Sequence, residues 1–124
     1  MRVLIADDDC DIAASLAMLV RWWGYEPVIA TTGSAAIQIL GAADGPALAV
    51  LDYAMPGMTG LDVCLELRKD GTRPYTYCLL VTGRGGRQEM CESLEAGADD
   101  YLVKPVDPDE LRARLRTGKR WLEL

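Results

Sequence analysis

The chain of 124 residues has no histidine and no phenylalanine. Without histidine, the usual serine and cysteine triads are excluded, as is every acid–base scheme built on imidazole. The four cysteines, Cys10, Cys64, Cys78 and Cys91, form no CxxC pair and have no histidine to complete a zinc site. They are expected to be buried free thiols in a reducing cytosol. Cys10 stands apart because it adjoins an acidic cluster. No apolar run is long enough to span a bilayer, and charge arrives early at the N-terminus, so neither a secretory leader nor a membrane association is expected and a cytoplasmic location is. Basic residues are the minority, 13 against 19 acidic, for a net charge of -6. Such a chain is a poor binder of nucleic acid or anionic lipid. Its one basic cluster, Arg112, Arg114, Arg116, Lys119 and Arg120, spreads around a helix and reads as a solvated face. The chemistry left open uses carboxylates, hydroxyls, lysine or a metal ion.

What the chain does contain is a globular balance, 50% hydrophobic and 26% charged, in a single domain's length. Short apolar runs at 2–6, 26–30, 47–51, 77–82 and 100–103 read as strands covered on both faces, since their apolar character is nearly continuous. Amphipathic segments lie between them. The first, from Asp11, places Ile12, Leu16, Leu19 and Val20 on one stripe and ends at Gly24. The second carries Ile37 and Leu40 on one side. A third runs from Thr59, a fair N-cap, toward Gly71, and a fourth ends at Gly97. The last, 107–124, opens at Asp107 with Pro108 in its first turn and Glu110 placed as in a capping box. Five β/α units of this kind predict an α/β fold: a doubly wound five-stranded parallel sheet of order 2-1-3-4-5, flanked by five helices in a three-layer, flavodoxin-like arrangement. The last helix carries Leu111, Leu115 and Leu122, with Trp121 and Leu124 beside them, to the final residue. That pattern suggests a fragment whose last helix leads on to another domain.

The strand order brings distant residues together. In an open parallel sheet ligands bind beyond the carboxyl ends of the strands, where the winding reverses. Asp7 and Asp8 end the first strand and Asp52 ends the third, on either side of that point. Two unit charges about 4 Å apart repel by roughly 4 kcal/mol at an effective dielectric near 20. The cluster therefore requires a counter-charge or a proton. Hard oxygen donors in this grouping suit Mg²⁺ or Mn²⁺, ions that also favour phosphate ligands. Asp9 and Asp11 fit the simpler role of acids at a helix N-terminus. Thr82 ends the fourth strand and can donate to a phosphoryl oxygen; Lys104, followed by Pro105, ends the fifth and can pair with Asp52 or with a phosphoryl group on it. A cis bond before Pro105 is open to the chain.

The motifs "ADDD", "LDYAMPGMTG", "LLVTG" and "YLVKP" follow strands one, three, four and five in turn. Together they resemble the response regulator receiver domain of two-component signalling, across essentially the whole chain. The resemblance implies that Asp52 is the phosphoacceptor. It implies that Asp7, Asp8, Asp52 and the backbone carbonyl of Ala54 hold Mg²⁺. Thr82 and Tyr101 become the switch pair, and Lys104, beside Pro105, the contact to the phosphoryl group. A partner sensor kinase or phosphotransfer protein supplies the phosphohistidine, and phosphorylation alters the surface of helix four, strand five and helix five, which is also where a homodimer would form. The chain is then a phosphoacceptor with self-catalysed phosphorylation and dephosphorylation rather than an enzyme, and it controls an output domain or partner. The "TGRGGR" stretch lacks a P-loop ending and reads as a mobile loop.

Some positions depart from the family pattern. Ala54 stands where relatives often carry a polar side chain, and Arg84 where an acidic or polar residue is common. Both flank the path of the water that hydrolyses the acyl phosphate, so they are the lifetime-tuning positions, and an apolar residue 54 predicts a longer-lived phosphoryl group. Val106 replaces a usual phenylalanine and Cys10 a frequent proline. Two rivals use the same residues. A haloacid-dehalogenase-type phosphohydrolase needs a second Asp at position 54, and a flavin or nucleotide module would not place three aspartates in its first loop.

Overall fold

A computed structural model describes residues 1–71, 73–83 and 86–124. Ten elements alternate along it: β1 (Arg2–Ala6), α1 (Cys10–Trp22), β2 (Glu26–Ala30), α2 (Gly33–Gly41), β3 (Leu48–Asp52), α3 (Gly60–Arg68), β4 (Tyr77–Thr82), α4 (Arg87–Glu95), β5 (Asp100–Val103) and α5 (Pro108–Leu122). All strand pairings are parallel, in the order β2-β1-β3-β4-β5. This is the expected doubly wound sheet. The third strand begins one residue later than its apolar run suggests and includes Asp52.

The two faces of the sheet carry separate cores, because successive side chains on a strand point to opposite faces. Val3, Ile5, Leu48, Val50, Leu79 and Val81 pack with Ala13, Leu16 and Val20 of α1 and Leu111 and Leu115 of α5. Leu4, Ala6, Ala49, Leu51, Cys78 and Leu80 pack with Ala36 and Leu40 of α2 and Val63, Cys64 and Leu67 of α3. Central strands β3 and β4 are buried at every residue, which is why their sequences show no polar alternation.

Helix ends follow their local chemistry. The Asp9 carboxylate caps α1 by accepting from the N–H groups of Asp11 and Ile12. Thr59 and Asp62 form a reciprocal capping box on α3. Asp107 caps α5 through the Asp109 N–H, with Pro108 at its start. Gly24 and Gly97, both at positive φ, stand just past the ends of α1 and α4, where the left-handed backbone suits glycine.

Two expectations need correction. Ile12 is not on the buried stripe of α1: it is 40% exposed, and Ala13 and Ala17 face the sheet in its place. Cys64 and Cys78 are buried as expected, but Cys10 and Cys91 are exposed. The end of α5 is exposed as its sequence suggests, with Trp121 48% exposed. Trp121 packs against Tyr75 with the rings tilted by 44° and their centroids 4.7 Å apart, Leu122 is partly buried, and Leu124 is fully exposed. The basic residues of α5 are exposed as expected, and Arg112 also lies over the Trp23 ring.

Candidate functional site

At the carboxyl edge of the sheet, Asp7 continues β1 by one residue, its N–H donating to the Ala30 carbonyl at 3.1 Å. Asp52 is the last residue of β3, paired in register with Val81 of β4. These neighbouring strands carry their terminal carboxylates to one place. One oxygen each of Asp7, Asp8 and Asp52 lies within 4.8 Å of the others. Asp7 and Asp52 are buried, 3% and 4% exposed, while Asp8 faces solvent.

Helix α3 seats Asp52 from below. The Gly60 N–H donates to Tyr53 O at 3.0 Å, and a Cβ on Gly60 would come within 2.4 Å of the Asp52 carbonyl oxygen. Only glycine allows the helix to begin this close to the strand end. Tyr53 N–H in turn donates to Val81 O at 2.7 Å, extending the β3–β4 ladder past Asp52.

Among the described residues, Lys104 is the cation set against these three carboxylates. Lys104 Nζ lies 2.9 Å from Asp52 Oδ1. The ammonium forms an ion pair with this buried oxygen, which among the described residues has no further hydrogen-bond donor. Burial pushes the Asp7 carboxyl above the usual carboxylate range; its Oδ1 accepts the Asp9 N–H at 2.9 Å, which works the other way, and the Asp52 charge adds to the rise. Burial works against the Lys104 charge, yet its contact with Asp52 and the charges of Asp7 and Asp8 together raise its pKa. Three hard oxygen donors within reach of one another, one of them buried and short of a donor, fit a divalent cation with oxygen preference.

The remaining expected residues fall around this pocket. Thr82 ends β4 next to Asp52's strand partner and is 2% exposed. Its hydroxyl donates to Glu89 Oε1 in the first turn of α4 at 2.9 Å. Tyr101 on β5 is 8% exposed, with its phenol in hydrogen-bond contact with Thr82. Burial raises the Tyr101 pKa. The ring therefore lies inside, against the switch partner that the resemblance implies for it. The Lys104–Pro105 peptide bond is cis, and the Lys104 N–H donates to Thr82 O at 2.7 Å. Ala54 is exposed in the loop after β3. Arg84, the second lifetime-tuning position, and most of the "RGG" stretch that holds it lie outside the described residues. Glu89 escaped the sequence reading, since an acid in a first helical turn reads as a complement to the helix dipole.

Beside Lys104 opens a mostly apolar cleft of about 680 Å³ between α1 and the segment after β5, lined by Ile12, Leu16, Leu19, Pro105 and Val106 among others. The exposed Ile12 belongs to this wall.

Residues 3–116 match the family model of the response regulator receiver domain. "Probable transcriptional regulator ycf27" of Cyanophora paradoxa is 40% identical over 98% of this chain and 49% of its own length. "DNA-binding response regulator MtrA" of Mycobacterium tuberculosis is 36% identical over 96% of this chain and 50% of its own length. The chain thus spans about half the length of the curated relatives it matches. Among solved structures, the receiver domain of the Francisella response regulator 1452 superposes with a TM-score of 0.88 at 30% identity, covering 96% of this chain and 97% of the other.

Proposed function

The chain belongs to the response regulator receiver domain family, and from that premise we propose that it accepts a phosphoryl group on Asp52 and passes the change on through Thr82. The observation that carries this reading is the meeting of Asp7, Asp8 and Asp52 within 4.8 Å, with Lys104 at 2.9 Å from Asp52. An oxygen of the Asp52 carboxylate attacks the phosphorus of a partner's phosphohistidine. The new O–P bond forms as the P–N bond breaks, and the electron pair leaves with the imidazole nitrogen. The histidine comes from the partner, since this chain has none.

Asp7, Asp8, Asp52 and the backbone carbonyl of Ala54 are the residues that would hold Mg²⁺ or Mn²⁺. When bound, the ion offsets negative charge on the phosphoryl oxygens. Lys104 stands ready to leave Asp52 for a phosphoryl oxygen, a stronger partner because it carries more charge. The Thr82 hydroxyl supplies a further donor, and with Tyr101 packed behind it, any turn of Thr82 reaches α4 and β5. The apolar cleft beside Lys104 offers a donor protein a seat next to the reacting carboxylate.

The chain is then a signalling phosphoacceptor in the cytoplasm that answers a sensor kinase or phosphotransfer protein. It controls an output domain or a separate partner, with a homodimer through α4, β5 and α5 as one route. Ala54 argues against a phosphohydrolase, since a methyl group cannot serve as general acid at that place.

Incubation with acetyl phosphate and Mg²⁺, read by intact mass, tests the reading. One added phosphoryl group, absent in Asp52→Asn, supports it. No addition, or steady turnover of phosphate esters, overturns it.

A further inference from the structure

We infer that Glu89 is a positioning residue that holds the Thr82 hydroxyl away from Asp52 until a phosphoryl group competes for it; this rests on the phosphoacceptor reading above. A threonine hydroxyl has one hydrogen to give. Here it goes to Glu89 Oε1 at 2.9 Å. Thr82 follows Val81, the register partner of Asp52, so the same hydrogen is the one a phosphoryl oxygen on Asp52 would draw. The two acceptors therefore exclude each other. Thr82 is 2% exposed, so water does not readily replace whichever acceptor is lost.

The surroundings make this exchange consequential. Tyr101 is in hydrogen-bond contact with the same hydroxyl, and its phenol also feels the Glu89 charge. Tyr101, Thr82 and Glu89 thus form one chain of contacts from β5 through β4 to α4. Helix α4 is held weakly otherwise: its N-cap, Gly86, makes no side-chain cap, and Ser93 is its one buried residue. Giving up the Thr82 bond loosens the first turn of α4, which links the state of Asp52 to that helix. Glu89 also suits the positive end of the α4 dipole, a role that would need no Thr82. A double-mutant cycle separates the two roles.

The test titrates the whole chain with beryllofluoride, a mimic of a carboxylate-bound phosphoryl group, in saturating Mg²⁺ by calorimetry. Glu89→Ala is expected to bind about tenfold more tightly than wild type, the size of one lost competing hydrogen bond to a charged group. Glu89→Gln keeps an accepting oxygen but loses the charge, so it is expected to fall between wild type and Glu89→Ala. In a Thr82→Ala background the Glu89→Ala gain disappears. Unchanged or weaker binding by Glu89→Ala overturns the inference, as does a gain that persists without the Thr82 hydroxyl. If Asp52→Asn still abolishes binding in those cases, the phosphoacceptor reading stands alone. A wild-type chain that takes up no beryllofluoride overturns both.

Discussion

Replacing Asp7 by Asn should reverse its effect on stability according to whether Mg²⁺ is present. Asp7 is 3% exposed, and one of its carboxylate oxygens lies within 4.8 Å of one each from Asp8 and Asp52. At that separation and an effective dielectric near 20, one pair of unit charges repels by ~3.5 kcal/mol. Lys104 offsets part of this, and solvent around Asp8 screens more, so the net relief from neutralising Asp7 is about 1–2 kcal/mol. Asn keeps an oxygen to accept the Asp9 N–H, so that bond is preserved. For a chain of this size ~1 kcal/mol moves the melting temperature by about 3–6 °C. Metal-free Asp7→Asn should therefore melt several degrees above metal-free wild type. Mg²⁺ at one hundred times its Kd should then stabilise wild type by ~2.7 kcal/mol and the variant by far less, so the order inverts. Thermal melts followed by circular dichroism, with chelator and with Mg²⁺, read both arms. A variant less stable than wild type without metal, or one that gains as much from Mg²⁺, would refute the crowding argument.

Other consequences are as direct. Ala54→Asn should shorten the lifetime of the aspartyl phosphate, because an amide beside the pocket can orient the hydrolytic water; loss of the added mass over time measures it, and an unchanged decay rejects the role. Gly60→Ala places a methyl 2.4 Å from Asp52 O and 2.8 Å from Leu80 Cδ1, so it should cost ~1–3 kcal/mol in urea unfolding and impair phosphorylation as well. The phenols of Tyr25, Tyr77 and Tyr101, all buried, are raised, first by burial. The folded state keeps these protons after the unfolded chain has lost them, so stability should fall as pH climbs above 10, the ordinary phenol value. Alkaline melts that stay flat across that range would contradict their burial.

The sheet was legible because β1, β3 and β4 are continuous apolar runs, and that pattern has few other meanings at this length. The strand order alone then places residues 7, 8, 52, 82 and 104 at one edge. The rotation of α1 was not legible. Ala13 and Ala17 weigh little in a hydrophobic pattern, yet their small side chains let the helix lie close to the sheet, which turns the larger Ile12 outward into the cleft beside Lys104. Glu89 was hidden for a different reason. It meets Thr82 across a loop, and no periodicity links a strand end to the next helix's first turn. The inward position of Tyr101 depends on the same packing between β4, β5 and α4, which a strand pattern does not encode.

The most direct measurement of the central claim is to trap the acyl phosphate and find which residue carries it. Borohydride reduces an aspartyl phosphate to homoserine, and peptide mass spectrometry locates the change. After treatment with acetyl phosphate, homoserine is expected at position 52 when Mg²⁺ is present and nowhere when the metal is chelated. Label at position 7 or 8, or equal label at 52 without any divalent ion, would contradict the account.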